Sequence, residues 1–162
     1  VPTVENDIVI ERPQAAVWRF LIDPSNASVW QSSIVEFDGE MSGEGTPRVG
    51  DQGRGVVKIA GRNIETRTET VEVVPHEKMA LQTLDAPFPM LARYDLQATG
   101  DVTRLTVRFE TPGFGGFFGK LTDPIIAKMI DRDARSSLAN LKTILEIAVE
   151  SRPTVRDLRR HR

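Results

Sequence analysis

Cysteine is absent from the 162 residues, tyrosine occurs once and histidine twice. Without thiols there is no disulfide framework, no thiolate metal site and no cysteine nucleophile. His76 and His161 lie far apart in the chain, so a histidine-based zinc site is not expected either. No apolar run approaches the roughly 18 residues needed to span a bilayer, and VPTVENDIVIERP lacks the basic start and apolar middle of a signal peptide. A cytoplasmic protein without a membrane span is the expectation. The glycines of GEGTPRVGDQGRG are followed by no GK[ST] and form no G-x-G-x-x-G, so phosphate or dinucleotide binding is not expected there. Ser32, Ser33, Ser136 and Ser137 have no histidine near them in sequence, and no triad motif is present.

A surplus of positive charge is also missing. The net charge is −2, and residues 152–162 carry five arginines against Asp157, or +4, which leaves −6 for the rest (−2 minus +4). An acidic body is a poor nucleic-acid platform. Residues 1–150 read as one domain and residues 151–162 as a basic tail. The tail is expected to be a solvated terminus, with a functional basic arm as the alternative.

What is present is an ordinary globular balance, 40% hydrophobic and 27% charged. Its most regular stretch is Pro124 to Glu150. Asp123 suits an N-cap and Pro124 the first helical position. Ile126, Ile130, Ala134, Ser137, Leu138, Leu141, Leu145 and Ala148 then recur at steps of three and four, whereas Lys128, Arg132, Arg135 and Lys142 fall away from that stripe. A helix of roughly 40 Å with one buried face follows.

Upstream, VENDIVIE alternates as a half-buried strand with Val4, Asn6, Ile8 and Ile10 on one face. Pro13 opens a short helix with Val17, Phe20 and Leu21 as its stripe and Trp18 at the border. Asp23-Pro24 ends it and introduces a further turn reaching Trp30. SSIVEFD reads as a second strand with Ser33, Val35 and Phe37 inward. Residues 53–60, 63–74, 78–84, 90–98 and 102–110 form a meander joined by short turns, hence antiparallel hairpins. The fold class is α+β: about seven antiparallel strands in a curved sheet wrapped around a long C-terminal helix, with two short helices after the first strand. A sheet so bent leaves a cavity beneath the helix.

Two stretches stand out against that frame. Ile64, Thr66, Thr68 and Thr70 share the covered face of one strand, and a row of inward hydroxyls suggests an interior with water or a ligand to bond. Threonine is also a good strand former, and a position near a sheet edge is the alternative explanation. TPGFGGFFGKLTD places three phenylalanines among four glycines just before the long helix, either as the lip of a pocket or as local packing.

The sequence resembles the helix-grip superfamily known as SRPBCC or START-like, which includes polyketide cyclase/dehydrase and lipid-transport proteins. The resemblance is carried by IERPQAAVWRFLIDP followed by Trp30, by VGDQGRG, by TETVEVVPHEKMALQT and by SSLANLKTILE. It implies an apolar pocket between sheet and helix, with no metal or organic cofactor. The expected partner is a small apolar ligand, such as a lipid, polyketide or isoprenoid-like compound. On the sheet side the candidate ligand-binding residues are Phe37, Thr66, Thr68, Leu81, Tyr94 and Phe109. Phe117 and Phe118 come from the phenylalanine-rich segment, and Ile126, Met129 and Ile130 from the first turns of the helix. Function is expected at those first turns and plain packing from Leu138 to Ala148. A cyclase or dehydratase with Tyr94 as acid is the enzymatic alternative. A chaperone-activator-type module with a filled cavity is a third.

Overall fold

A computed structural model describes the backbone of residues 3–150 and the side chains of residues 3–147. Strand β1 (Thr3–Ile10) leads into helix α1 (Gln14–Ile22), a 3-10 turn (Pro24–Asn26) and the single-turn helix α2 (Ala27–Trp30). Strands β2 (Ile34–Gly39), β3 (Gln52–Ile59), β4 (Arg62–Val74), β5 (Lys78–Asp85), β6 (Leu91–Thr99) and β7 (Val102–Glu110) follow, and helix α3 (Asp123–Glu150) closes the described chain. The sheet order is β1-β7-β6-β5-β4-β3-β2, antiparallel throughout. This is the expected helix-grip arrangement. The basic tail and Ala148 lie outside the residues whose side chains are described.

Local chemistry accounts for the joints. Ala60 and Gly61, both at positive φ, make a two-residue turn of the kind whose twist suits a hairpin. The Asp23 side chain accepts the Ser25 N–H at 3.0 Å and starts the second helical piece. The long glycine-rich loop closes on Asp51, whose carboxylate accepts from the Ser42 hydroxyl, the Ser42 N–H and the Arg48 N–H at 2.6, 3.0 and 2.8 Å. Those hydrogen bonds, the hydroxyl's foremost, hold its pKa below the usual carboxylate value.

Parity predicts the buried face except where a bulge intervenes. Ile34 and Glu36 bracket a register shift in β2, so Val35 turns outward and is 51% exposed, contrary to the expectation, while Ile34 and Phe37 turn inward. A second shift lies between Thr70 and Glu72. Glu72 is thereby moved to the outer face, where it meets Lys78 at 3.3 Å and Arg93 at 3.9 Å, and Val73 packs on the core instead. Trp18, placed at the border of α1 by its spacing, is fully buried against Val17 and the core of β7.

The α3 stripe from Ile126 through Leu145 is buried as the periodicity requires. Polar bonds fasten one flank of the helix to β1 and the segment after it. Asn6 donates to Asp131 at 2.8 Å, Lys142 to the Val9 carbonyl at 2.7 Å, and Arg12 to the Leu145 carbonyl at 3.1 Å. Two apolar clusters result. Leu138, Leu141 and Leu145 pack on Ile10, Val17 and Leu105, whereas Ile126 and Ile130 pack on Val4, Ile64, Phe88, Phe114 and Phe118.

Candidate functional site

Where the two clusters meet, the concave sheet and the middle of α3 do not close on one another. A cavity of about 150 Å³ remains, walled by every strand except β1. A second chamber of about 90 Å³ adjoins it toward α2 and the glycine-rich loop. Seven residues line both, Gln31, Phe37, Thr68, Leu81 and Tyr94 together with Trp30 and Ile34, and they form the neck between them.

The neck is made by glycine as much as by the residues that show. Phe37 on β2 lies over Gly53 and Gly55 of β3, whose register partners on β4 are Thr68 and Thr66. A Cβ on Gly53 would sit 2.6 Å from the Phe37 ring and 2.9 Å from Thr68 Oγ1, and one on Gly55 would sit 2.6 Å from the Glu36 carbonyl. Only glycine at those positions lets the ring approach the sheet so closely.

Tyr94 is buried at the neck, with its hydroxyl donating to Gln31 Oε1 at 3.3 Å and its ring edge-on to Trp30 at 6.4 Å. Burial pushes its pKa up to about 12, with the Gln31 hydrogen bond working weakly in the other direction. The phenol is therefore a neutral donor at any physiological pH. The threonines divide: Thr66 Oγ1 donates to the Gly55 carbonyl at 3.4 Å, whereas Thr68 Oγ1 is shut away from solvent with no partner. The strand carrying them has β3 on one side and β5 on the other, so an edge position does not explain the row.

Of the sequence-derived candidates, Phe37, Thr66, Thr68, Leu81, Tyr94, Phe109 and Ile130 line the larger chamber. Four do not. Phe118 and Ile126 are buried in the cluster under the start of α3, with Phe118 stacked edge-on to Phe114 at 5.6 Å. Phe117 lies beneath the Arg62 guanidinium, 4.0 Å from its ring centroid, and Met129 is 39% exposed. The phenylalanine-rich segment is packing for the helix start, and only Phe88 of that aromatic group reaches the cavity. On α3 the cavity is bounded by Ile130, which belongs to the expected first turns, and by Asp133, Ala134 and Ser137, which lie one to two turns beyond it.

Gln31, Asp133 and Ser137 are polar wall residues that sequence reasoning left unassigned to the site. Gln31 follows α2 in a short turn with no periodicity to betray it. Asp133 did carry a signal, since it stands three residues after Ile130 and four before Ser137 and so borders the buried stripe. Ser137 accepts the Ser32 N–H at 2.9 Å and pins the strand-β2 approach to the helix. Among the described residues no group of three or more His, Asp or Glu side chains is placed to hold a metal, and no helix is long and apolar enough to cross a membrane.

Comparison with solved structures returns the same architecture at low identity. The Zhui aromatase/cyclase from Streptomyces sp. R1128 superposes with a TM-score of 0.73 at 19% identity, covering 92% of this chain and 96% of that one. A START superfamily protein from Mycobacterium smegmatis gives 0.72 at 15% identity, covering 90% and 98%. A protein from Thermus thermophilus gives 0.70 at 18% identity, covering 91% and 99%. No curated protein matches the sequence. The family model described as polyketide cyclase / dehydrase and lipid transport matches residues 1–146, and the chain belongs to that family.

Proposed function

We propose that the protein binds a small, mostly apolar compound in the two-chambered cavity under α3. The observation that carries this reading is the space itself, a cleft under α3 with mostly apolar walls interrupted by a few polar groups on both the sheet and the helix side. Its size narrows the ligand class. A cavity of about 150 Å³ accommodates roughly one benzene-sized ring, so the two chambers together suit a compound of one or two rings or a ring with a short chain. Long-chain lipids fit the class poorly. A module acting only through protein contacts would need no such space, and the family to which the chain belongs supports ligand binding in this fold.

The test is native mass spectrometry of the purified protein after exposure to a library of one- and two-ring ketones, phenols and short isoprenoids. Retention of a stoichiometric small molecule is expected. Failure to retain any member of the library, with the cavity residues intact, would remove the reading.

A second reading is favoured by one observation, the protonated Tyr94 hydroxyl within hydrogen-bond reach of Gln31 at the cavity wall. The neutral phenol could give its proton to a ligand oxygen by exchanging its hydrogen bond to Gln31 for one to the ligand, and the Asp133 carboxylate shares the larger chamber. On this reading the protein is a cofactor-independent cyclase or dehydratase. Turnover of a poly-keto model compound that survives Tyr94→Phe unchanged would exclude Tyr94 as its acid.

A further inference from the structure

We infer, on the reading of the cavity as a ligand site, that Asp133 selects the charge of the ligand, and that the compound held under α3 is a protonated amine with its apolar ring inside and its ammonium group at the mouth. Neither chamber has a lysine, arginine or histidine in its walls. Among the 23 residues that line the larger one, Asp133 alone is charged. The smaller one adds Asp23 and Glu40, whose side chains accept from Ser25 and from the Gln52 N–H. A carboxylate or phosphate ligand would meet like charge there and no opposite charge, so the walls disfavour apolar acids and favour apolar cations.

Placement makes Asp133 the group that meets the ammonium. Around the helix it lies about 60° from Ile130, on the side away from Asp131. Asp131 turns toward β1 and accepts from Asn6 at 2.8 Å, so the flank that carries Asp133 turns toward β2 and β3, where Ser33, Ile34 and Val57 bound the same chamber. Asp133 is half-buried there, at the edge of the cleft. Asp131 and Glu146 are paired along the helix with Arg135 and Lys142, whereas no described lysine or arginine nitrogen comes within 4.0 Å of the Asp133 carboxylate. Its charge is left for a ligand to neutralise. Deeper in the cavity the walls are aromatic and aliphatic, and the Trp30 and Tyr94 rings do not oppose a cation.

Three probes on one skeleton test this: 4-phenylbutylamine, 4-phenyl-1-butanol and 4-phenylbutanoate, which are cationic, neutral and anionic at neutral pH. Dissociation constants are read from quenching of tryptophan fluorescence, since Trp30 lines both chambers. Wild-type protein should bind the amine roughly tenfold more tightly than the alcohol, and the alcohol more tightly than the acid, with the advantage of the amine shrinking as salt is raised. Asp133→Asn should bring the amine-to-alcohol ratio toward one while alcohol affinity holds, which shows the variant folded, and Asp133→Lys should reverse the order in favour of the acid. Equal affinities of amine and alcohol in the wild type, or an amine preference that survives either substitution, would overturn the charge assignment and leave the cavity as a binding site. Binding of none of the three would overturn both.

Discussion

At the scale of the residue, the single tyrosine makes a measurement unusually direct. Any tyrosinate signal in the near ultraviolet belongs to Tyr94, the only tyrosine in the chain. Its folded pKa of about 12 lies above the ordinary 10.0, so between those values the folded state binds more protons than the unfolded one. Stability is therefore fully present below pH 10 and falls as pH rises toward 12, by roughly 2–3 kcal/mol across the interval from this group. Native protein should show a titration midpoint near 12 and denatured protein one near 10, and Tyr94→Phe should lose that part of the alkaline slope in chemical denaturation. A native midpoint at the ordinary value would mean that the phenol is not sealed in the wall. Gly53 offers a second residue-level test. Its Cβ would overlap the Phe37 ring, so Gly53→Ala should destabilise by about 1–3 kcal/mol and weaken ligand uptake through displacement of that ring. Thermal melts and probe titrations on the same preparation measure both.

At the scale of the element, α3 joins two halves that differ in task. Leu141 is fully buried among leucines and β-strand side chains, and Leu141→Ala should cost about 2–5 kcal/mol while leaving probe affinity in the surviving folded protein unchanged. Asn6→Leu removes the partner of Asp131, whose carboxylate also meets Arg135 at 2.9 Å, and should cost about 1–2 kcal/mol by freeing the helix flank from β1. Most of this architecture was legible beforehand, because a 28-residue amphipathic helix and hairpins of alternating residues are set by local periodicity. The bulges were harder to place. At Val35 one extra residue reverses the parity of the strand start, and nothing in SSIVEFD marks it. At Val71 a second extra residue sends Glu72, which shares the parity of Thr70, to the outer face. The phenylalanine-rich segment misled for a different reason. Its composition suits a mobile lip, but Phe88, from the β5–β6 connection far away in sequence, completes an aromatic cluster that buries Phe114 and Phe118.

At the scale of the whole molecule, the cavity exists because a curved sheet fastened to the helix along β1 meets it at β3 and β4 only near the helix start, around Ile59 and Ile64, and not along its middle. That consequence follows from topology, and so the presence of a space was readable from the order of elements. Its position along α3 was not, because it depends on where Phe88 and Phe114 fill the concavity and where the small side chains of Ala134 and Ala92 leave it open. Ala134 gives the decisive substitution. It is buried, lines the larger chamber and sits in mid-helix, where leucine is almost as good a helix former as alanine. Ala134→Leu adds roughly three buried carbons at about 0.8 kcal/mol each, directed into empty volume and not into packed neighbours. The expected result is an unchanged or higher melting temperature together with loss of the small molecule that the wild type retains in native mass spectrometry. A closely packed core would answer oppositely, with destabilisation of about 1–3 kcal/mol from overpacking. Retained binding in a variant of full stability would place the ligand somewhere other than under α3.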